Sequence, residues 1–236
     1  EYAWNTSWGS TTRLIGALVM THGDDNGLVL PPKVAPVQVV IVPIYRKDEE
    51  RALVLDKANE VAKTLRGRGV RVHIDARDNL KPGPKYYEWE RKGVPMRMEI
   101  GPRDVAAQKL VLVMRREFED MPRKEILDEA DAIQSIPERL DRFQAALLAA
   151  ATRRREANSH RGVTEYARLR EIMEGDGGFV FAGWCGSADC ETKVREELKA
   201  TIRVVPFEEF RSADAPATCL VCGAAAQSEA VWARAY

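Results

Sequence analysis

Two hydrophobic periods alternate along this chain, and the switches between them predict most of its elements. Leu14, Ile15, Leu18 and Val19 recur at helical spacing and would bury one face of a helix. Ser10, Thr11 and Thr12 are placed to cap its start. Thr6, Trp8 and Gly9 suit the end of a strand leading into the turn. Arg13 then falls in the first helical turn, beside exposed amides where an anionic phosphate is favoured and a guanidinium can grip it with paired hydrogen bonds. An ordinary strand–turn–helix with a surface arginine would carry the same pattern. Asp24-Asp25-Asn26-Gly27 reads as a turn, Leu28-Val29-Leu30 as a short strand, and Pro31-Pro32-Lys33-Val34-Ala35-Pro36 as an extended, stiff linker.

A new pattern begins at Val37. Residues 37–44 form an apolar run of strand length. Residues 48–66 carry Val54, Ala58, Val61, Ala62 and Leu65 as one helical stripe, ended by Gly67 and Gly69. Val70, Val72 and Ile74 alternate with Arg71 and His73, the period of a strand. Strand, helix and strand in that order predict parallel pairing with a right-handed crossover. Pro82 opens a helix over about 83–92. Met96, Met98 and Ile100 form one face of a third strand, with Arg97 and Glu99 on the other, and residues 110–114 form a fourth. The order β-α-β-α-β-β predicts an α/β domain with a mixed sheet.

Residues 115–138 are charged and irregular in pattern, and read as part helix and part linker. Helices are expected over 140–156 and 164–173, a strand over 179–184 running straight into Cys185, a helix over 189–200 and a strand over 202–205, an α+β pattern. The expected division is 1–36, 37–136 and 137–236.

Composition narrows the function. Charged residues make up 31% and hydrophobic residues 45% of 236, values of an ordinary globular protein. Lys+Arg and Asp+Glu number 36 each, so no global field attracts nucleic acid and any RNA contact must come from a local patch. No apolar run approaches the ~18 residues of a membrane span, and no signal peptide is visible. The chain starts at Glu1 and reads as though a domain were already under way.

The four cysteines lie in the last quarter as Cys185-x4-Cys190 and Cys219-x2-Cys222. Two close pairs supply the four thiolates of a structural tetrahedral zinc site at low entropic cost, and such a site leaves no open position for catalysis. Four buried cysteines, a redox dithiol, or iron in place of zinc fit the same spacing. His22, His73 and His160 share no ligand spacing. No Walker loop, dinucleotide fingerprint, nucleophile elbow or HExxH occurs.

Residues 86–104 are the other candidate. Tyr86 and Glu90 lie four apart on one helix face. A ring and a carboxylate there can stack on an unpaired base and accept protons from a guanine Watson–Crick edge. Arg97 can donate to guanine O6 and N7. Arg103 and Asp104, after the Gly101-Pro102 turn, form a second donor and acceptor. A solvated charged helix beside a satisfied salt bridge fits these residues too.

The stretch Thr6-Ser7-Trp8-Gly9 with Thr12-Arg13-Leu14-Ile15-Gly16-Ala17 resembles the third signature motif of class II aminoacyl-tRNA synthetases. The similarity continues through Lys85-Tyr86-Tyr87-Glu88-Trp89-Glu90, Met96-Arg97-Met98-Glu99-Ile100-Gly101-Pro102-Arg103-Asp104, the four cysteines and the terminal Ala235-Tyr236. In that order they resemble the C-terminal half of the prolyl-tRNA synthetase family, archaeal and eukaryotic type. The resemblance implies the end of a class II catalytic domain, a mixed-sheet anticodon-binding domain and a zinc-binding C-terminal domain. It implies a cytoplasmic ligase that joins L-proline to proline tRNA through prolyl-adenylate, using ATP and magnesium. Arg13 matches the arginine on the ATP γ-phosphate. Thr6, Ser7 and Gly9, with the Tyr236 carboxylate, match the prolyl and adenylate pocket. Tyr86, Glu90, Arg97, Arg103 and Asp104 match positions that contact the two anticodon guanines, and Cys185, Cys190, Cys219 and Cys222 match structural zinc ligands. The first two class II motifs, with the dimer strand, are missing. The chain is therefore expected not to form prolyl-adenylate alone and to dimerise only through that missing half. A non-catalytic, zinc-containing RNA-binding module is the alternative.

Overall fold

A computed structural model describes residues 3–234 as two compact units, Glu1–Ala151 and Thr152–Tyr236. Tyr236, expected in the adenylate pocket, lies outside the described residues.

The first unit is built on a five-stranded sheet of order β2-β1-β3-β4-β5: β1 Val39–Pro43, β2 Val72–Ile74, β3 Met96–Ile100, β4 Lys109–Met114 and β5 Lys124–Asp128. β1 runs parallel to β2 and β3, pairing Val39 with Val72 and with Met96. β3–β4 and β4–β5 are antiparallel. The mixed sheet is thus as expected, with one more strand. α2 (Asp48–Gly67) lays its stripe Val54, Ala58, Val61, Ala62 and Leu65 against Val39, Ile41, Met96, Met98 and Ile100. α3 (Pro82–Arg91) covers the opposite face, where Tyr86 and Trp89 pack on Val40 and Val42. α4 (Pro102–Ala107) connects β3 to β4.

The region read as part helix and part linker is ordered. β5 closes the sheet, and α5 runs unbroken from Glu129 to Ala157. Pro137 lies inside that helix. A proline has no N–H for the carbonyl four residues back, which here is that of Ile133. The Arg68 guanidinium donates to the Ile133 carbonyl oxygen at 2.7 Å instead, so the gap in the ladder is filled from another element.

The N-terminal segment departs from expectation. Residues 3–10 form no strand, because no neighbouring strand among the described residues accepts their backbone hydrogen bonds. α1 (Arg13–His22) forms where expected, and Thr11 Oγ1 accepts from the Arg13 amide at 3.3 Å. It buries no residue, however, and Leu14, Ile15 and Met20 stay exposed. Leu28 and Leu30 run along the end of α3 without forming a strand, donating to the Arg91 and Gly93 carbonyls at 3.0 and 3.1 Å. Gly93 has φ +74°, and a Cβ there would stand 2.6 Å from Leu28. The stretch read as a linker is packed: Pro31, Pro32 and Ala35 are buried, and the Arg71 guanidinium donates to the Pro32 and Ala35 carbonyls.

The second unit has a four-stranded sheet of order β6-β7-β9-β8: β6 Ser159–His160, β7 Phe179–Trp184, β8 Ala200–Val204 and β9 Ser228–Arg234. α6 (Tyr166–Glu174) and α7 (Ala188–Leu198) supply Leu169, Met173, Val194 and Leu198 to a core that includes Trp232. β9, which sequence pattern did not mark as a strand, is internal to the sheet. Among the described residues no helix is long and apolar enough to cross a membrane.

One buried carboxylate ties β2 to α3. Asp75 is 1% exposed. It accepts from Arg77 Nε and Nη2 at 2.8 and 2.7 Å and from Trp89 Nε1 at 2.8 Å, while buried Lys85 donates to the Asp75 carbonyl at 2.9 Å. Burial alone would raise its pKa; the Arg77 and Trp89 hydrogen bonds outweigh it and hold the carboxyl well below the usual carboxylate range. A depressed pKa contributes stability that is present above the unfolded value and lost only as pH falls through the folded one. Asp75→Ala strands the Lys85 ammonium and should lower stability by about 3–5 kcal/mol, read by urea unfolding. A cost below 1 kcal/mol would show that the cluster does not hold α3.

Candidate functional site

Three of the five residues expected to meet bases, Tyr86, Glu90 and Arg97, gather where α3 crosses β3, and Arg103 and Asp104 stand on α4. Arg97 Cζ lies 4.0 Å from the centre of the Tyr86 ring, a cation–π stack. Arg97 donates from Nε and Nη2 to Glu99 Oε1 at 3.1 and 2.9 Å. Glu99 is nearly buried, and its other oxygen stands 3.8 Å from Lys124 Nζ. Glu90, one turn after Tyr86, is ion-paired with Arg123. Burial, reinforced by the Glu99 carboxylate, pushes the Tyr86 phenol up to about 12, so it remains a donor at neutral pH. Asp104 Oδ2 accepts from the Gly101 amide at 2.8 Å, closing the start of α4. Arg103 beside it is exposed.

The face extends across the sheet. Val113 and Val111 stand opposite Arg97 and Glu99, and Lys124 and Ile126 follow on β5. Val111 and Val113 are buried while Ile126 is 60% exposed, so the open apolar surface of this face is at β5, beside Lys124. Glu99, Arg123 and Lys124 were not among the expected site residues. Arg123 and Lys124 escaped because Lys124-Glu125-Ile126-Leu127-Asp128 does not alternate polar and apolar residues, although its exposed and half-buried positions alternate in the fold. Glu99 was read only as facing away from the core. The cavity between Glu90, Arg97 and Arg123 has a volume of about 10 Å³, space for one water and not for a base.

The Arg13 candidate is not assembled in the same way. Thr6, Ser7, Gly9 and Arg13 are all exposed, the first three in chain without regular structure, and Arg13 is the first residue of α1.

The cysteines do converge. Cys185 follows β7, Cys190 sits in the first turn of α7, and Cys219 and Cys222 lie on a turn closed by the Gly223 amide donating to the Cys219 carbonyl at 2.9 Å. Gly223 has φ +73°, a left-handed conformation suited to glycine. The four sulfurs all lie within 4.8 Å of one another; Cys185 is 3.6 Å from Cys190 and 3.7 Å from Cys222. A tetrahedron with metal–sulfur bonds of about 2.3 Å has edges of about 3.8 Å, so the set fits a thiolate-binding metal such as zinc. Burial pushes the Cys190 thiol up to about 12. Burial also acts upward on Cys219, but amides of Cys222, Val221 and Cys185 donate to its sulfur and draw it down to about 7.

Comparison with known proteins agrees with this geometry. Residues 38–134 match the family model described as the anticodon binding domain, and residues 166–236 match prolyl-tRNA synthetase, C-terminal. Both matched domains are similar to those of prolyl-tRNA synthetases, in the same order along the chain. The chain is 46% identical over its whole length to a proline–tRNA ligase of Cenarchaeum symbiosum and 44% identical to one of Chloroflexus aurantiacus, covering 47% and 48% of them. It therefore spans about half the length of these relatives. The prolyl-tRNA synthetase of Cryptosporidium parvum, solved with halofuginone and AMPPNP, superposes with a TM-score of 0.83 at 35% identity, over 95% of this chain and 46% of that one. The anticodon-binding match covers both α3, which carries Tyr86, and the sheet strand that carries Arg97. The C-terminal match covers all four cysteines.

The thiol set makes a direct prediction. Titration with Co²⁺ should give an equimolar complex with thiolate charge-transfer bands, displaced by Zn²⁺. Cys219→Ser should abolish the bands and selectively loosen the second unit in hydrogen exchange. Unchanged bands in the variant would remove Cys219 from the metal set.

Proposed function

We propose that this chain is the RNA-reading half of a ligase that joins L-proline to proline tRNA, using ATP and magnesium through prolyl-adenylate. The observation that carries the reading is the Arg97–Tyr86 stack, flanked by two carboxylates on an otherwise apolar sheet face. A stacked aromatic supplies the platform, and the charged groups around it read base edges. Glu90 accepts from guanine N1–H and the N2 amino group, and Arg97 donates to O6 and N7. Arg103 and Asp104 contact the neighbouring guanine. Arg123, about half exposed, swings off Glu90 as the base arrives, and Glu99 keeps the Arg97 fork oriented.

Arg13 binds the γ-phosphate of ATP, and Thr6, Ser7, Gly9 and the Tyr236 carboxylate line the prolyl and adenylate pocket, once the catalytic half of the enzyme covers α1. The exposed apolar face of α1 supports that reading. Catalysis there comes from positioning and from neutralising the triphosphate. Zinc held by Cys185, Cys190, Cys219 and Cys222 is structural, since four thiolates leave no position open. The complete enzyme is a cytoplasmic homodimer joined through its other half.

The test is binding of this chain, at fixed salt, to a proline tRNA transcript and to one with both anticodon guanines replaced. The guanines should contribute about 1–3 kcal/mol each, and Arg97→Ala should erase most of that difference. Equal binding of both transcripts by the wild type would sink the anticodon assignment.

A further inference from the structure

A second feature of the first unit is not used by base reading. At the carboxyl ends of the parallel strands β1 and β2, the loops 43–48 and 77–82 enclose a crevice of about 550 Å³. It is cationic. Among the described residues, the side chains of Arg46, Lys47 and Lys81, all exposed, make no ion pair. The other charges are largely spent within the protein. Arg51 holds Asp78, which also accepts from Tyr45; Arg77 is bound to Asp75 and Glu88; buried Lys85 faces Asp75. Asp48 is the one lining carboxylate without such a partner, against three cations.

The crevice is bounded by elements that also carry the base-reading face. Lys85, in its wall, immediately precedes Tyr86 on α3. On the sheet edge, the Ile44 amide donates to the Ile100 carbonyl at 2.8 Å, and Gly101 to Asp104 follow Ile100 directly. A strand whose bases lie on Tyr86 and beside Arg103 has this cationic edge as the nearest place for its phosphates. Strand-tracking RNA sites combine these two parts, a stacking platform and a basic groove that follows the backbone.

We propose that Arg46, Lys47 and Lys81 form a phosphate-binding edge that grips the sugar–phosphate backbone of the RNA strand flanking the read bases, independently of base identity. The proposal rests on the anticodon reading for its partner, but the two fail separately. Each cation neutralising a single-strand phosphate contributes about 0.7 to the slope of log affinity against log salt.

The experiment measures binding of the matched and the guanine-replaced transcripts across a salt series, for wild type and for the triple variant Arg46→Gln, Lys47→Gln and Lys81→Gln. The expected result is a slope shallower by about 2 and, near 0.1 M salt, a loss of about a hundredfold in affinity, equal for the two transcripts. The charge-keeping set Arg46→Lys, Lys47→Arg and Lys81→Arg should restore both, which separates charge from folding. An unchanged slope with guanine discrimination intact would overturn the phosphate edge and leave base reading standing. A shallower slope in a protein that never discriminates guanine would support the edge and remove base reading. An unchanged RNA slope with weakened ATP binding would overturn the proposal in favour of a free-nucleotide site, and a wild type that binds neither transcript would overturn both.

Discussion

The first unit of this molecule depends on one buried carboxylate. Asp75 ends β2 and is shut off from solvent, so its charge is tolerable only because Arg77 and Trp89 donate to it and Lys85 lies alongside. Lys85 and Trp89 belong to α3. Satisfying Asp75 therefore fixes the rotation of α3 about its axis as well as its position over the sheet. Tyr86 and Glu90, one residue after each, are then turned toward β3. A hydrophobic contact alone would have allowed the helix to slide, because Tyr86 and Trp89 meet smooth valine rows at Val40 and Val42. The directional bonds remove that freedom.

The second unit meets a different constraint. Its sheet is short, with a two-residue edge strand, and a small core gives limited stabilisation. The four cysteines bind together β7, the first turn of α7 and the turn that precedes β9. Gathering them brings the two internal strands of the sheet into register near Trp184 and Ser228, which pair directly. A metal there would couple ligand geometry to the pairing of the sheet.

How far the fold was legible depended on whether local pattern and tertiary demand agreed. The α2 stripe was readable to the residue because period 3.6 and burial coincide at Val54, Ala58, Val61, Ala62 and Leu65. The Met96, Met98, Ile100 face and the parallel β1–β2 crossover were readable for the same reason. The start of α5 was legible only as part helix and part linker: Pro137 argues locally against a helix, and the compensation comes from Arg68, 65 positions from the Ile133 carbonyl it binds. The strand expected before Arg13 fails in the opposite sense: the local pattern is present, but nothing among the described residues pairs with it. The tyrosine, arginine and carboxylate of the base-reading face were visible as residue types at suitable spacing. Their partners Arg123 and Lys124 were not, because one precedes and the other opens a strand whose polar and apolar residues do not alternate. The cysteine cluster was legible from spacing alone, since proximity in sequence already accounts for two of its edges.

If the Tyr86–Arg97 face reads bases as proposed, its selectivity would follow from the ion pairs it already holds. Arg97 and Glu90 are not idle donors and acceptors; each is held by an opposite charge, Glu99 for one and Arg123 for the other. A base that offers fewer than the required hydrogen bonds must break these pairs without replacing them, and an unreplaced charge in a partly desolvated site is costly. Guanine can replace the Glu90–Arg123 bond with two donors of its own, while adenine presents an acceptor at N1 toward the same carboxylate. Discrimination would then arise less from the strength of the correct contacts than from the penalty on the wrong ones. The small volume between Glu90, Arg97 and Arg123 acts in the same direction: it admits about one water, so only a base edge that pulls Arg123 away can enter.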